Sequence, residues 1–538
     1  MMASLSSHLI VLPILLPMVC GALLIFLSDR NFPLKLGVSF FSAGGLFAIA
    51  LSLLYLTENN HWPGGVGVYL AANWMAPFGI TLVVDRLAVV MLLLTALLGL
   101  GALWYSSVRW GRVGVHYFAL CQFLLMGLNG AFLTGDLFNL FVFFEVTLAA
   151  SYGLVLHGYN PNRIRAGMQY IVVNLLCSSL FLVGVALIYA ASGTLNMADI
   201  AARTPDLSPA DRQLMQTGTA ILAVAFLAKS AIWPLSFWLP TTYSAASPPV
   251  AAMLVLVTKV GIYAVLRLWT LTFSEGAGES AHFGAQLLLW GGAVTVAFGL
   301  VGMFASQEPG RMASYSAIVS SGTLLATISF GHAAATSAAL FYLLSSTLAV
   351  AAFMLLIELI ERIRNPAAAM LALTMEAFAI EDEPQESAGV AIPAPMVFLG
   401  LGFVGCAMII VGLPPLSGFI AKFNIFHALL AGHGDEALRA SGWLLIGLIL
   451  LSGLAGIIAL MRFGVRTFWA APIAKAPRLQ AMEAAPIFML LLVCVLFTVQ
   501  AGPLKRYLDR TAASLHDPQH YIEQVLTRPA VPNPGDLP

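Results

Sequence analysis

Charge is what this chain most lacks. Asp, Glu, Lys and Arg make up only 9% of its 538 residues, against 60% hydrophobic, whereas a soluble domain carries roughly a quarter charged residues. That deficit excludes a solvated globular surface. The formal net charge is zero, which argues against a nucleic-acid partner. Cys20, Cys121, Cys177, Cys406 and Cys494 all fall inside apolar runs without paired spacing. They form neither a disulfide framework nor a zinc motif and read as small buried hydrophobes. A P-loop, an HExxH helix and a Cys-x-x-Cys pair are also missing, so no cofactor and no metal site is expected.

What is present in quantity is uninterrupted apolar sequence. The stretches 1–28, 36–57, 87–108, 113–135, 166–198, 440–461 and 484–504 carry no Asp, Glu, Lys or Arg, and about 20 such residues suffice to cross a bilayer. Two longer uncharged stretches, 312–357 and 387–421, must each hold more than one helix or a helix with a break. The reading is an all-α polytopic membrane protein with about fourteen spans. The spans are placed near 8–27, 36–56, 82–106, 115–133, 137–157, 168–190, 216–232, 249–271, 284–304, 313–330, 334–359, 394–431 with a break, 441–462 and 484–501. Met1 to Leu27 has no basic leader before its apolar run and reads as a retained helix.

Basic residues cluster in alternate connections. The odd ones hold Arg30, Lys35, Arg109, Arg112, Arg163, Arg165, Arg311, Arg362, Arg364, Arg462, Arg466, Lys475 and Arg478, and the even ones mainly Arg86, Arg203, Arg212, Arg267 and Arg439. The positive-inside rule puts the odd connections in the cytoplasm and both termini outside. Lys505, Arg506 and Arg510 in the tail pull the other way. The tail from Gly502 to Pro538 mixes charge and proline and reads as an interfacial or docking segment. The segment 365–392, which contains "IEDEPQES", reads as an acidic loop.

Against this background four charges stand deep within predicted spans or beside a helix break. Glu145 lies in "GDLFNLFVFFEVTLAASYGLVLHG", Lys229 in "AFLAKSAIWPLSFWLP", Lys259 in "VLVTKVGIYAVLRL" and Lys422 in "GLPPLSGFIAKFNIF". Each costs about 2.5–3.5 kcal/mol at mid-bilayer on insertion scales. Desolvation pushes a carboxylate and an ammonium toward their neutral forms and pairing pulls them back. A row of such groups passes protons by changing partner and hydration, with no organic cofactor. The structural alternative for Glu145 is an ion pair that holds two helices in register. For the lysines it is snorkelling to an interface, which Lys259 is too central to do.

Pro234 and Pro240 follow Lys229, and Pro414, Pro415 and Gly418 precede Lys422. A proline frees a carbonyl that protein or water must satisfy at membrane depth. Two interrupted helices, each carrying a lysine, in the two halves of a chain suggest inverted repeats with a polar pathway between them. A plain packing kink is the alternative. His116, His157, His332 and His427 lie near span ends, where contact with water is the ordinary role, although His332 also qualifies for a proton path.

The stretches "GDLFNLFVFFEVTLAASYGLVLHG", "AKSAIWPLSFWLP", "SAASPPVAAMLVLVTKVGIY", "RMASYSAIVSSG" and "GLPPLSGFIAKF" together resemble the antiporter-like subunits shared by respiratory complex I and the multisubunit Mrp (Mnh, Pha) cation/proton antiporters. "GDLFNLFVFFE" and the lysine of "SGFIAKF" look most like the D subunit of the Mrp antiporter. The resemblance implies fourteen helices with two inverted five-helix repeats, each with a broken helix. It implies divisions at 1–106, 107–271 (first repeat), 272–462 (second repeat) and 463–538.

By the same resemblance, Glu145 modulates Lys229, Lys259 takes the proton onward, and Lys422 communicates with one side of the membrane or the next subunit. The chain departs from the family in its eleventh helix. Where many members carry His and Lys, "FYLLSSTLAVAAF" has Ser346 and Val350. Either hydroxyls of Tyr342, Ser345 and Ser346 with water replace that element, or Lys259 reaches Lys422 by another route.

The function implied is that of a non-enzymatic subunit of an Na+/H+ or K+/H+ antiporter in a bacterial inner membrane, working with the A, B, C, E, F and G subunits of the Mrp type. The alternative is a proton-pumping subunit of an NADH–quinone oxidoreductase or a related hydrogenase complex. An inert scaffold is a third reading, and it would tolerate neutralisation of Glu145 and Lys229 together.

Overall fold

Apolar runs of this length satisfy their backbone in a bilayer only as helices or closed barrels, and here they form helices. The computed structural model describes residues 7–28, 31–59, 61–113, 116–158, 160–362, 394–431, 436–468 and 479–530. The acidic loop expected at 365–392 lies outside the described residues.

In chain order the helices are α1 (Leu12–Phe26), α2 (Phe32–Glu58), α3 (Arg86–Ser106), α4 (Tyr117–Leu133), α5 (Leu137–Val155), α6 (Pro161–Ser192) and the short α7 (Met197–Arg203). Then follow α8 (Pro209–Lys229), α9 (Trp238–Ala245), α10 (Pro248–Thr272), α11 (Ala285–Ala305), α12 (Pro309–Ile328) and α13 (Ala333–Glu361). The chain continues with α14 (Ala394–Val411), α15 (Ser417–Ala431), α16 (Glu436–Phe468), α17 (Ala481–Val499) and two tail helices, α18 (Ala501–His516) and α19 (Gln519–Leu526). Among the described residues 10 helices are long and apolar enough to cross a membrane, and α1, α4 and α15 are shorter apolar helices.

Starts and stops follow local chemistry. Proline stands in the first turn of α6, α8, α10 and α12, where its missing N–H costs nothing. Asp136, Asn160 and Ser208 cap α5, α6 and α8 through their side chains. The third span begins later than expected. Thr81–Val84 is a strand, β2, which pairs antiparallel with β1 (Gly67–Leu70), and α3 starts only after Asp85 accepts from the Ala88 N–H at 2.9 Å.

The core is built on α10 and α13, whose apolar stretches are almost wholly buried. Such helices are hydrophobic on every side because other helices surround them. Helices α3, α8, α12 and α13 flank α10, while α12, α14, α15 and α17 flank α13.

The two ends of the bundle are closed by different charge clusters. At one end Glu358 accepts from Tyr105 Oη (2.9 Å), Trp110 Nε1 (2.8 Å) and Arg362 (2.7 Å), and Arg362 also reaches Glu483 at 2.9 Å. At the other, Arg267 grips Asp85, and the tail helices lie over them. The tail docks on its own chain through Asp509, which accepts from Ser337 (2.6 Å), and through His516 Nε2 against Thr336 Oγ1 (2.9 Å). Burial, reinforced by nearby His332, pushes the His516 imidazole below its ordinary pKa. Arg528 donates to Ser7 at 3.5 Å, so the first and last described segments meet at this same end.

Candidate functional site

Each of the four in-span charges occupies a place that local structure creates. Glu145 is on α5, half-buried, and its Oε1 accepts a hydrogen bond from the Ser178 hydroxyl of α6. Beside it Phe144 packs with Phe181 and Phe226, ring centroids 5.8 and 5.9 Å away.

Lys229 is the last residue of α8 and is 5% exposed. Its Nζ has no protein hydrogen-bond partner and lies 5.0 Å above the Phe144 ring. Glu145 lies close enough to act on it electrostatically, yet the two form no ion pair within 4.0 Å. The aligned peptide dipoles of α8 add partial negative charge at the same point. A buried ammonium held by a π face, a helix end and a carboxylate at a distance is positioned without being locked.

Lys259 is fully buried on α10 and donates to two hydroxyls of α12, Ser320 at 2.9 Å and Ser321 at 3.1 Å. It has no acidic partner among the described ion pairs. Ser320 Oγ lies 2.9 Å from Ser346 Oγ of α13. Ser320, Tyr342 and Ser346 then line a cavity of about 20 Å³ together with Ser316, Ser452 and Lys422. That volume holds about one water, and its lining supplies the polar partners a buried water needs.

Lys422 closes the row from the far side. Its Nζ donates to Val411 O at 2.5 Å and to Ile410 O at 3.4 Å, the carbonyls at the end of α14. The break frees those carbonyls and the lysine satisfies them, as membrane depth demands. Gly412 makes the turn at φ +85°, and a Cβ there would stand 2.7 Å from Lys422 Cδ. Gly418 permits the close approach of α15, since a Cβ would collide with Ile409 O.

The reversed order of lysine and proline in the two interrupted helices thereby becomes intelligible. Lys229 stands at the carboxyl end of its own half-helix, and Lys422 reaches back to the carboxyl end of the preceding one. Lys422 bonds the free carbonyls of that end, whereas Lys229 stands on the last turn of its own helix without bonding a carbonyl.

Three expected hydroxyls are placed differently from one another. Ser346 joins Ser320, Tyr342 lines the small cavity, and Ser345 Oγ lies 2.8 Å from Ser417 Oγ at the start of α15. Ser178, Ser320, Ser321 and Ser452 are functional candidates that sequence reasoning misses. The available signal for two of them is the consecutive Ser320–Ser321 in an apolar run. His332 caps α13 through its side chain at the tail-covered end, and His157 lies against Tyr117 with ring centroids 4.8 Å apart. Neither touches the lysine row. Among the described residues no group of three or more His, Cys, Asp or Glu is placed to hold a metal ion.

The fold and its buried charges define a polytopic membrane protein with a row of buried polar and charged side chains across two interrupted helices. The family described as NADH:quinone oxidoreductase/Mrp antiporter, TM, matches residues 134–442, a span that contains all four charges. The chain belongs to this family. It is 51% identical over 530 residues to the D subunit of a probable K+/H+ antiporter of Rhizobium meliloti (strain 1021), covering 97% of this chain and 98% of the relative. It is 33% identical over 527 residues to the D subunit of an Na+/H+ antiporter of Bacillus subtilis (strain 168), covering 97% and 99%. A chain in the structure of the Mrp complex from Dietzia sp. DQ12-45-1b superposes with a TM-score of 0.82 at 27% identity, covering 97% of this chain and 99% of that one.

Proposed function

We propose that this chain is the D-type, proton-translocating component of a multisubunit monovalent cation/proton antiporter. It works as a secondary transporter component, not an enzyme, in a bacterial inner membrane beside the A, B, C, E, F and G subunits of the Mrp type, and proton influx drives Na+ or K+ efflux. The end-to-end match to proteins named as K+/H+ and Na+/H+ antiporter components favours this over the oxidoreductase reading.

The observation that carries the mechanism is the string Lys259 – Ser320 – Ser346 – one-water cavity – Lys422. Glu145 approaches or leaves Lys229 and so sets whether that ammonium holds its proton. Lys259 passes a proton through the two serine hydroxyls, and Lys422 receives it through the water site. A hydroxyl both donates and accepts, which is what a proton wire needs. The serines and Tyr342 thereby replace the eleventh-helix histidine and lysine of other members. Glu145, half-buried on a helix that exposes Phe138 and Val142, is open to a neighbouring subunit. Counting the pairs α8–α9 and α14–α15 as one crossing each gives fourteen crossings, with repeats at 107–271 and 272–462.

The test is dissipation of a pH gradient by K+, Na+ or Li+ in everted vesicles carrying the whole complex. Glu145→Ala, Lys229→Ala and Lys259→Ala are expected to abolish exchange while the complex still assembles on native gels. Ser346→Val, which removes one hydroxyl of the wire, should slow it by about tenfold, since a lost hydrogen bond near a charge is worth about 1.5–3 kcal/mol. Undiminished exchange in all of them would sink the relay.

A further inference from the structure

Arg267 is the one feature of α10 that the relay leaves unused. Lys259, Tyr263 and Arg267 are spaced four residues apart along one side of the helix, so the Arg267 backbone lies about 12 Å along the axis from that of Lys259. It is 5% exposed. Both of its terminal nitrogens donate to Asp85, at 2.6 and 2.7 Å, and it also reaches Tyr263 Oη at 3.3 Å. Tyr263 below and Tyr521 of the tail above each put a ring within 5.5 and 5.3 Å of it. Tyr263 Oη in turn donates to Phe132 O at 2.7 Å.

On the outer side of this cluster is a cavity of about 240 Å³, lined by Asp85, Arg86, Arg267, Thr270, Asp517 and His520 among others. Helices α18 and α19 form its roof, held by Arg510 on Glu58 (2.8 Å) and Tyr507 Oη on Arg86 O (3.2 Å). On the inner side the character changes within one turn. Tyr263 there meets Leu87, Met91, Leu266, Leu324 and Leu340 around a void of about 10 Å³. The volumes and linings place water above the guanidinium and not below it.

The charges at the floor of the cavity are already committed, whereas Asp517 lines it from the tail. Asp85 gives both oxygens to Arg267 and one also to the Ala88 N–H, and Arg86 is paired with Glu58. No free carboxylate remains at the floor to attract a cation inward.

We propose that Asp85, Arg267 and Tyr263, roofed by the carboxy-terminal helices, form an electrostatic seal that closes the Lys259 end of the relay from the aqueous phase on the tail side. A proton or alkali cation entering the cavity meets a fixed guanidinium and then an apolar layer. Exchange with water must therefore occur at the Glu145–Lys229 or the Lys422 end. This assignment rests on the relay reading, in that a seal matters only if Lys259 carries protons.

The test reads access to water as well as transport. Thr270→Cys in the cavity and Leu266→Cys beneath the seal are placed singly in the intact complex, where the native cysteines are all buried and the unsubstituted complex serves as blank. A charged, membrane-impermeant thiol reagent is expected to label Cys at 270, and to label Cys at 266 at least about tenfold more slowly because an unaided charge is costly at that depth. Equal labelling, or none at 270, would overturn the seal.

Asp85→Asn with Arg267→Met then removes the pair without stranding either charge, and asparagine still caps α3. With this double change position 266 should label at the rate of 270, and a proton leak independent of added Na+ or K+ should rise several-fold. A purely structural pair would lower assembly without raising leak. If the double variant fails to assemble, the two labelling rates in the native background still decide. If labelling behaves as expected while Lys259→Ala leaves exchange intact, the seal stands and the relay falls.

Discussion

A buried lysine with no acidic partner is a costly residue, and Lys259 is the purest case here. Its ammonium is met only by Ser320 and Ser321 among its hydrogen-bond partners. Two neutral hydroxyls give the ammonium acceptors without fixing it in an ion pair, as the proposed relay requires and a structural clamp does not. Lys259→Arg separates the two roles. Arginine keeps the positive charge and its donors but does not deprotonate in proteins. Exchange is expected to vanish in Lys259→Arg as completely as in Lys259→Ala, with thermal stability of the assembled complex close to wild type. Retention of more than a small part of the exchange rate by the arginine variant would show that charge alone suffices there. Arg267, one face and two turns away, makes the opposite choice: it is clamped bidentately to Asp85 and never needs to release a proton.

At the scale of elements, the break between α14 and α15 is the most constrained feature. Gly412 must adopt φ +85° and has no room for a Cβ beside Lys422. Gly412→Ala is expected to destabilise the chain by at least about 1–2 kcal/mol, the penalty of a left-handed non-glycine residue. It should also displace Lys422 from the α14 carbonyls. Thermal unfolding in detergent reads the first effect and cation-driven exchange the second; an alanine variant with unchanged melting and exchange would contradict the geometry.

The break itself is legible in "GLPPLSGFIAK", because proline and glycine cannot continue a membrane helix without a partner for the freed carbonyl. Its satisfaction by Lys422 is not, since that is a contact between two half-helices. Glu145 and the three lysines are legible because a charge is anomalous in an apolar run. Ser320 and Ser346 are not, because a serine inside a helix ordinarily bonds its own backbone and nothing in sequence separates that case from a bridge across helices. Thr81–Val84 passes for the start of a span because a short apolar run has no period that distinguishes strand from helix. Arg267 passes for a loop charge because its partner Asp85 is 182 residues away.

For the whole molecule, the two termini and the charge clusters bear on orientation. Ser7 and Arg528 meet at one end, which fits the even number of crossings proposed above. The tail cations that oppose the positive-inside count are largely neutralised within that end, Lys505 by Asp509 at 2.8 Å and Arg510 by Glu58 at 2.8 Å. At the opposite end Arg109 stays mostly exposed although it lies 3.8 Å from Glu358. The uncompensated positive charge therefore gathers at the end away from the tail, which is expected to be cytoplasmic. Gln519→Cys, exposed on α19, should react with an impermeant thiol reagent in intact cells, or in spheroplasts where an outer membrane intervenes. Asn162→Cys, exposed at the start of α6, should react only in everted vesicles. The reverse pattern would invert the orientation and with it the side on which Arg267 shuts water out. Because the ends of α3 and α13 away from the tail are tied by Glu358 and Arg362, and the tail-side ends by Asp85, Arg267 and the tail, the central helices are pinned at both ends. Lys229, which no hydrogen bond fixes, is then the member of the proposed relay left to respond to a changing charge.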